Sequence, residues 1–311
     1  MTTPRYLIAG GTGLIGAALA KRLRERGAFV DVLTRGDTNV VLGDRPEISI
    51  HWEPGVILEL SVDDYYDAVI NLAGESISRI PWTRKRKERI LYSRLDATKT
   101  LVAWIKQSRT PPTVFINASA VGFYGTRGDE DLTEESQPGT GFLAEVVRVW
   151  EATATELPEE TRVAYLRTGV VLSQHGGALA PLRALTKAFL GGPIGSGKQW
   201  WPWISLEDEV RAIIHVIDND ISGPVNLVGP TSSTSGDAGR ALAQKLKRPF
   251  WLAAPGFAIR ALLGSAGREL LLSSQKISPT VLVNSGFEFT HTTVDEALDA
   301  ALAAEVETTE Q

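Results

Sequence analysis

Three polar side chains stand where the sequence predicts the ends of buried strands, and each of them could move a proton. Ser119 ends the apolar run Thr113-Val-Phe-Ile-Asn-Ala-Ser, Tyr124 follows five residues later, and Glu75 follows a turn of small residues. Carboxylates and phenols serve as general acids or bases, and a serine hydroxyl can act beside them. We therefore take Ser119, Tyr124 and Glu75 as candidate catalytic residues. An ordinary strand-end serine and a packed aromatic ring are the alternatives for the first two.

An anion-binding turn is predicted at the start of the chain. The apolar run Tyr6–Ala9 gives way to glycines and then to an amphipathic helix pattern that continues to Leu23. In a strand, tight turn and helix of this kind, glycines let a pyrophosphate approach the backbone, and N–H groups at the helix start bind it. A glycine-rich turn that binds nothing is the alternative. The predicted cofactor contacts in the turn are Gly10, Gly11, Thr12, Gly13, Leu14, Ile15 and Gly16.

The end of the second predicted strand indicates which dinucleotide is preferred. The run Phe29-Val-Asp-Val-Leu-Thr-Arg ends in Thr34 and Arg35, and its only acid, Asp31, lies too early in the strand. An acid at this tip would accept a hydrogen bond from the adenosine 2′-OH, whereas an arginine accommodates a 2′-phosphate. We therefore predict Thr34 and Arg35 as cofactor contacts, and NADP(H) rather than NAD(H) as the cofactor. A solvated arginine at a strand end is the alternative.

A third buried strand ends in residues small enough for the backbone to lie against a flat cofactor. The run Asp67-Ala-Val-Ile-Asn-Leu-Ala-Gly is apolar and ends in Ala73 and Gly74, as a fully buried parallel strand does. Glu75 follows at the carboxyl end, where open α/β sheets bind their ligands. Arg94, near the middle of the next predicted helix, is a candidate to face the same cofactor.

The order of predicted elements indicates the fold that positions these residues. Strand and helix patterns alternate along the first two thirds of the chain, with strands also predicted over Arg162–Leu172 and Pro224–Val228. This alternation predicts an α/β fold, a Rossmann-type doubly wound parallel sheet. From about Arg248 the composition shifts to an apolar helix, a serine-rich joint, a strand pair around Val281–Phe289 and a closing helix. We predict a dinucleotide-binding domain over 1–245 with substrate-side insertions near 175–205, a small C-terminal α+β domain over 246–305, and a frayed tail over 306–311.

Composition narrows the classes of function. The chain has 311 residues, a net charge of −5 and no cysteine, and its four histidines lack ligand spacing, so no metal site, disulfide or thiolate chemistry is expected. The basic run Arg84–Arg89 lies on one helix of an acidic protein without interleaved aromatics, so no nucleic acid partner is expected. No signal peptide and no membrane-spanning run is predicted. We expect a cytoplasmic protein.

The segment Gly192-Pro-Ile-Gly-Ser-Gly-Lys-Gln resembles a phosphate-binding loop only in part. Gln199 stands where a Ser or Thr would hold Mg²⁺, and the following Trp200-Trp-Pro-Trp cannot open the required helix, so nucleoside triphosphate binding is not predicted here. The tryptophans of Gln199–Trp203 could instead stack on a substrate.

Several motifs of the chain are similar to those of a known family. They are Gly10-Gly-Thr-Gly-Leu-Ile-Gly, Asn71-Leu-Ala-Gly, Asn117-Ala-Ser-Ala-Val-Gly-Phe-Tyr-Gly, Arg167-Thr-Gly and Trp203-Ile-Ser-Leu-Glu-Asp. With them the chain resembles the extended short-chain dehydrogenase/reductases and, more narrowly, the atypical epimerase family subgroup of NAD-dependent epimerase/dehydratase proteins with a small C-terminal domain of unknown role. The resemblance implies NADP(H) contacts from the glycine turn, from Thr34 and Arg35, from Leu72 and Ala73, and from Glu75 and Arg94.

One feature that the resemblance implies is missing. Active members of the superfamily use a Tyr-x-x-x-Lys pair, in which the lysine lowers the tyrosine pKa, but no tyrosine of this chain is followed by lysine four residues later. An unassisted tyrosine with a pKa near 10 is ionised to only about one part in a thousand at pH 7. The predicted function is therefore an NADP(H)-dependent oxidoreductase or epimerase-like enzyme acting on an unknown small molecule, as a monomer or homodimer. A non-catalytic NADP-binding sensor or regulatory interaction protein is the alternative.

Overall fold

The computed structural model describes residues 3–36, 49–174 and 176–308. His175 and the last tail residues, 309–311, lie outside the described residues. The strands are β1 (Arg5–Ala9), β2 (Phe29–Thr34), β3 (Ser49–His51), β4 (Ala68–Asn71), β5 (Val114–Ala120), β6 (Asp131–Leu132), β7 (Arg162–Thr168), β8 (Val170–Ser173), β9 (Gly176–Gly177), β10 (Trp203–Ser205), β11 (Gly223–Leu227) and β12 (Lys276–Ile277). The helices are α1 (Leu14–Glu25), α2 (Arg84–Gln107), α3 (Phe142–Thr153), α4 (Leu179–Lys187), α5 (Leu206–Asp218), α6 (Ser235–Lys245), α7 (Gly256–Leu271), α8 (Thr280–Asn284) and α9 (Val294–Thr308).

The main sheet has seven parallel strands in the order β3-β2-β1-β4-β5-β7-β11. The chain runs outward from β1 to β3 and then returns to add β4 on the other side of β1. The carboxyl ends of β1 and β4 therefore flank the point where the strand order reverses, which is where doubly wound sheets bind ligands. The predicted α/β fold of Rossmann type is confirmed.

Both faces of this sheet are buried, which explains its apolar strands. In β1, Ile8 packs into a core that includes Leu19 of α1 and Ile213 of α5. The next residue towards the amino end, Leu7, packs on the opposite face with Leu101 of α2. Successive side chains of a strand point to opposite faces, so a strand between two helical layers is apolar throughout. Helices on both faces fix the positions of the carboxyl ends of the strands.

The single strand predicted over Arg162–Leu172 is divided in the structure. β7 belongs to the main sheet, whereas β8 pairs with β10 and β9 in a separate three-stranded sheet. The break falls at Gly169, where an added Cβ would lie 2.3 Å from the carbonyl oxygen of Pro202. The crossing of two backbones at this point, rather than local composition, separates the strands.

The C-terminal region differs from its prediction in two places. The strand pair predicted around Val281–Phe289 is wrong: Pro279 precedes the short helix α8, and Glu134 accepts a hydrogen bond from the N–H of Val281 at 3.1 Å. α7 bends sharply at Gly264, where φ is +57°. The short strand β12 pairs with β6 in a parallel arrangement. The boundary between residues 245 and 246 stays a prediction.

Candidate functional site

The glycine turn between β1 and α1 forms a tight cradle. Gly10 has φ +83°, and a Cβ there would lie 2.6 Å from the carbonyl oxygen of Leu72 beyond β4. A Cβ on Gly16 would lie 2.3 Å from the Gly10 carbonyl oxygen, so helix and turn touch through backbone atoms. The Gly13 N–H donates to that same carbonyl at 3.0 Å and closes the turn. Gly10 and Gly16 are therefore required by the geometry in which two backbones meet.

The first turn of α1 is open to an anion. Gly13 is the N-cap residue, no side chain caps the helix, and no acidic residue stands in the first turn. The first N–H groups of a helix lack partners within it and carry the positive end of the helix dipole. Thr12 and Gly13 are exposed. These features fit a phosphate or pyrophosphate group at this helix start.

The tip of β2 presents a cation. Arg35 is exposed, and among the described residues no carboxylate lies within ion-pair distance of it. Thr34 is buried, and its Oγ1 accepts from the Gly36 N–H at 3.1 Å. Asp31 pairs with Arg5 at 2.7 Å and accepts from the Tyr66 hydroxyl at 2.8 Å. The only acid of β2 is therefore engaged with residues away from the tip.

A buried polar network fixes the carboxyl end of β4. Asn71 donates to Asn117 Oδ1 on the neighbouring strand at 2.8 Å and to Thr98 Oγ1 of α2 at 3.0 Å. Its own carbonyl oxygen Oδ1 accepts from the Ala73 N–H at 3.2 Å, and Trp150 of α3 donates to Thr98 at 2.9 Å. The network fixes the position of Leu72 and Ala73, the predicted cofactor contacts that follow Asn71. Sequence reasoning missed its role, although both asparagines interrupt otherwise apolar strands.

Glu75 is held by arginines of α2. Its carboxylate contacts Arg86 and accepts from Arg89 at 2.7 and 3.1 Å, and its N–H donates to Ser93 Oγ at 3.0 Å. Desolvation acts to raise the pKa of Glu75, but the hydrogen bonds and charges of Arg86 and Arg89 outweigh it and lower that pKa. This pairing favours an anchoring role over acid–base chemistry near neutral pH.

Arg94 lies beside the backbone that follows β4. Its Nη1 donates to the carbonyl oxygens of Ile90 and Glu75 at 2.8 and 3.1 Å, and its guanidinium lies 5.2 Å from the ring centre of Trp150. A Cβ on Gly74 would lie 3.3 Å from the guanidinium carbon. Burial lowers the pKa of Arg94 to about 10, so the group remains a cation at neutral pH. The structure thus brings Arg94 to the predicted cofactor edge.

Ser119 belongs to a buried ion-paired cluster. Its hydroxyl donates to Glu151 Oε1 of α3 at 2.6 Å. Arg167, at the end of β7, donates from Nε and Nη2 to the two oxygens of Glu151, each at 2.9 Å. Burial acts to lower the pKa of Arg167 and the contact with Glu151 to raise it, and the net shift is upward. Ser119 is therefore held by a fixed charge pair that sequence reasoning missed.

Tyr124 is fully buried at the end of a 3₁₀ turn, Val121–Tyr124. Its hydroxyl donates to Asn226 Oδ1 at 2.7 Å and accepts from Arg167 at 3.0 Å. Burial raises the pKa of Tyr124 although Arg167 and the hydrogen bond to Asn226 act to lower it. The hydroxyl is thus engaged within the protein, which favours a packed aromatic over a proton donor to substrate.

The C-terminal region completes the surroundings of this cluster. Glu269 of α7 accepts from the N–H groups of Phe142 and Leu143 at 3.2 and 2.7 Å, and so caps α3, whose own N-cap residue is a glycine. Gln275 donates to the carbonyl oxygens of Val121 and Gly125 at 2.7 and 2.8 Å. The C-terminal region therefore holds both segments that flank the candidate site.

Within the tryptophan-rich segment Gln199–Trp203, it is Trp203 that packs inward. Trp203 is almost fully buried, and its Nε1 donates to the Thr231 carbonyl at 3.0 Å. Trp200 donates to Asp129 at 2.8 Å. The predicted stacking on a substrate is therefore not available to Trp203.

In residues 3–36, 49–174 and 176–308, no group of three or more metal-ligating side chains is placed to hold an ion. Within the same ranges no helix has the length and apolar character needed to cross a bilayer. In the basic run Arg84–Arg89, Arg84 pairs with Glu88 at 3.0 Å, and two further arginines hold Glu75 as described above.

The order of the strands, the glycine turn and the open start of α1 together define a Rossmann-type α/β protein. Its class is that of the extended short-chain dehydrogenase/reductases. A family model described as the NAD dependent epimerase/dehydratase family matches residues 6–229, and one described as a domain of unknown function, DUF1731, matches residues 254–301. The chain belongs to the NAD-dependent epimerase/dehydratase family and carries this C-terminal domain.

Individual relatives cover nearly the whole chain. An epimerase family protein of Mycobacterium leprae is 40% identical over 299 residues, 94% of each chain. The chloroplastic SDR39U1 homologue of Arabidopsis thaliana is 38% identical over 306 residues, 95% of this chain and 86% of its own. The crystal structure of human epimerase family protein SDR39U1 (isoform 2) with NADPH matches with 30% identity and a TM-score of 0.85, covering 96% of this chain and 99% of its own.

Proposed function

We propose that this protein binds NADP(H), in preference to NAD(H), along the carboxyl edge of the main sheet. The glycine turn and the uncapped start of α1 suit the pyrophosphate, and the backbone from Leu72 to Gly74 suits a flat ring. The observation that carries the preference is at the tip of β2, where Arg35 is exposed with no carboxylate partner among the described residues, while Asp31 is paired with Arg5. The human relative whose structure contains NADPH supports the same choice.

The proposed activity is that of an oxidoreductase or epimerase-like enzyme acting on an unknown small molecule. When bound, NADP(H) would supply the hydride chemistry. Of the three candidate catalytic residues, Ser119 is the one whose hydroxyl could bind a substrate oxygen. Because its proton is donated to Glu151 Oε1, 2.6 Å away, its Oγ lone pairs could accept a hydrogen bond from a substrate hydroxyl. Arg167 would hold Glu151, and through it Ser119, in position.

A non-catalytic, NADP-binding sensor or regulatory protein is the second candidate function. The observation that favours it is the engagement of Tyr124 and Glu75 in internal contacts, in a chain without a Tyr-x-x-x-Lys pair. In that case the C-terminal domain, which caps α3 through Glu269, would respond to cofactor occupancy.

Calorimetric titration tests the cofactor proposal. NADPH is expected to bind the wild-type protein more tightly than NADH. The Arg35→Ala variant is expected to bind NADPH about ten- to a hundredfold more weakly than the wild type, because an arginine–phosphate contact contributes about 1.5–3 kcal/mol. Lys21→Ala, which removes an exposed cation of α1, is the matched control. Equal affinities for the two cofactors, or an Arg35→Ala variant that binds NADPH like the wild type, would contradict the proposal.

Turnover distinguishes the two candidate functions. NADPH consumption followed by absorbance across a panel of ketones should reveal a substrate if the protein is an oxidoreductase. Conversion of nucleotide sugars followed by chromatography should reveal one if it is epimerase-like, because an epimerase regenerates its cofactor in each cycle. Ser119→Ala should then lower kcat strongly, whereas Tyr124→Phe should leave kcat close to the wild-type value. Robust turnover would end the sensor proposal, and turnover untouched by Ser119→Ala would remove the role assigned to that residue.

A further inference from the structure

A cavity of about 500 Å³ opens between the segment 195–199 and α7. It is separate from the glycine turn at α1, since none of its lining residues belongs to β1, β2 or β4. One wall is the loop Gly195–Gln199, and the other consists of Gly256, Phe257 and Arg260 at the start of α7, with Leu272 at its end. A volume of this size is typical of sites for small molecules.

The lining of the cavity is cationic. Lys198 and Arg260 both line it and are exposed, and neither has a carboxylate within ion-pair distance in the ranges that the structure describes. No acidic residue is among the described residues that form its walls. In a chain with a net charge of −5, two cations without acidic partners at one cavity indicate attraction for an anion.

Backbone and amide hydrogen bonds hold the loop that carries Lys198. The Gly195 N–H donates to the Ala254 carbonyl at 2.8 Å, and the Gly197 N–H donates to the Ile194 carbonyl at 2.9 Å. Gln199 donates from its side-chain amide to the carbonyl oxygens of Ile194 and Leu271 at 2.9 and 3.0 Å. A binding wall fixed in this way loses little conformational freedom when a ligand binds.

Arg260 folds back towards the same loop. A Cβ built on Gly256 would lie 3.7 Å from Arg260 Nη1 and 3.8 Å from the Gly195 Cα. The guanidinium therefore lies near the small residues where α7 meets the loop. Glycine at position 256 leaves the space between them open.

The remaining walls are apolar. Phe257 is 72% exposed although it is a large hydrophobic residue, and Leu272 forms the opposite side near Gly195, where an added Cβ would lie 2.8 Å from its side chain. An exposed aromatic ring beside two cations offers an apolar surface next to an anion site.

We propose that this cavity binds a small-molecule substrate that carries a phosphate or carboxylate group next to an apolar or aromatic body. The anionic group lies between Lys198 and Arg260, and the apolar body lies against Phe257. The inference rests on the proposed function only in calling the ligand a substrate; the binding site itself is independent of cofactor choice.

Saturation-transfer NMR on the full chain, with and without NADPH, tests the inference with three small probes. Phenyl phosphate and benzoate present the two anionic groups, and benzyl alcohol is their neutral counterpart. We expect the anionic probes to bind more tightly than the alcohol, and to weaken as salt is raised from 20 to 300 mM, since exposed charge contacts are screened over about 10 Å at 0.1 M salt. Whichever anion binds more tightly identifies the group that the cavity prefers.

Charge-removing variants connect the binding to the cavity. Lys198→Met and Arg260→Gln should each weaken anionic probe binding by about three- to fivefold, and the double variant by about tenfold or more. Arg268→Gln removes an exposed cation from the same helix but outside the cavity, and should bind the probes like the wild type.

The outcomes separate this inference from the proposed function. Equal binding of benzyl alcohol, or a double variant that binds phenyl phosphate and benzoate like the wild type, would overturn the cavity assignment. NADPH affinity is measured on the same samples by calorimetry. Tight NADPH binding with no probe binding refutes the cavity alone, whereas probe binding without NADPH affinity refutes the cofactor proposal and leaves the cavity site intact.

Discussion

Two glycines of the turn between β1 and α1 should fail in different ways when each is replaced by alanine. A Cβ on Gly16 would lie 2.3 Å from the Gly10 carbonyl oxygen and 2.8 Å from the Gly11 Cα. These are backbone atoms and cannot rotate away. Alanine gains about 1 kcal/mol of helix propensity over glycine, but overpacking typically costs about 1–3 kcal/mol and more where backbone must shift. The clash therefore outweighs the propensity, and Gly16→Ala should lower the free energy of unfolding.

Gly13→Ala should spare the fold and damage cofactor binding. Gly13 has φ −79° and ψ 171°, which alanine adopts readily, and its Cβ would meet only the Gly10 carbonyl oxygen, at 3.2 Å. An N-cap change from glycine to alanine costs well under about 2 kcal/mol. The same methyl group would stand in the path of a pyrophosphate approaching α1. We expect NADPH affinity to fall at least about tenfold, which corresponds to about 1.4 kcal/mol.

Chemical denaturation and calorimetry measure the two effects separately. Each variant is the control for the other, because both add one methyl group to the same turn. A Gly13→Ala variant that binds NADPH like the wild type would refute the assignment of the turn as a pyrophosphate cradle. A Gly16→Ala variant as stable as the wild type would refute the packing account of α1.

Three further predictions concern buried polar groups. Tyr124→Phe removes the hydroxyl that donates to Asn226 Oδ1. This should lower the free energy of unfolding by about 1–3 kcal/mol and leave the NADPH affinity unchanged. A large loss of NADPH affinity would contradict the assignment of Tyr124 as a packed aromatic. Glu269→Ala removes the cap of α3 and should destabilise by about 0.5–2 kcal/mol in denaturation; unchanged stability would contradict this. Glu209 is fully buried, and burial raises its pKa to about 8. Because the pKa of Glu209 is higher in the folded than in the unfolded protein, the free energy of unfolding should fall as the pH rises from about 4.5 to 8, by up to about 1.4 kcal/mol per pH unit. Glu209→Gln should remove this slope. A Glu209→Gln variant with the same pH profile of stability as the wild type would contradict the prediction.

Local sequence patterns were sufficient to predict the features that depend on neighbouring residues. The turn at Gly10 to Gly16 follows from one apolar run, glycines at fixed spacing and a helix period, all within one short segment. The N-cap of α5 is equally local, since the Ser205 side chain accepts from the Asp208 N–H. These features depend on neighbours within about four residues, which the sequence displays directly.

Long-range contacts explain what the sequence did not predict. The end of β7 depends on the approach of Gly169 to Pro202, 33 positions further along the chain (202 − 169). The setting of Ser119 depends on Glu151 and Arg167, which come from a helix and a strand that only the fold brings together. An acid in an amphipathic helix and an arginine at a strand end carry no local signal that they will pair.

The position of the adenosine 2′-phosphate tests the central claim most directly. A crystal structure of the protein with NADPH should place this phosphate within hydrogen-bond distance of the Arg35 guanidinium, with the pyrophosphate at the N-terminal turn of α1. A pyrophosphate bound away from that helix, or a 2′-phosphate that makes no contact with Arg35, would contradict the account.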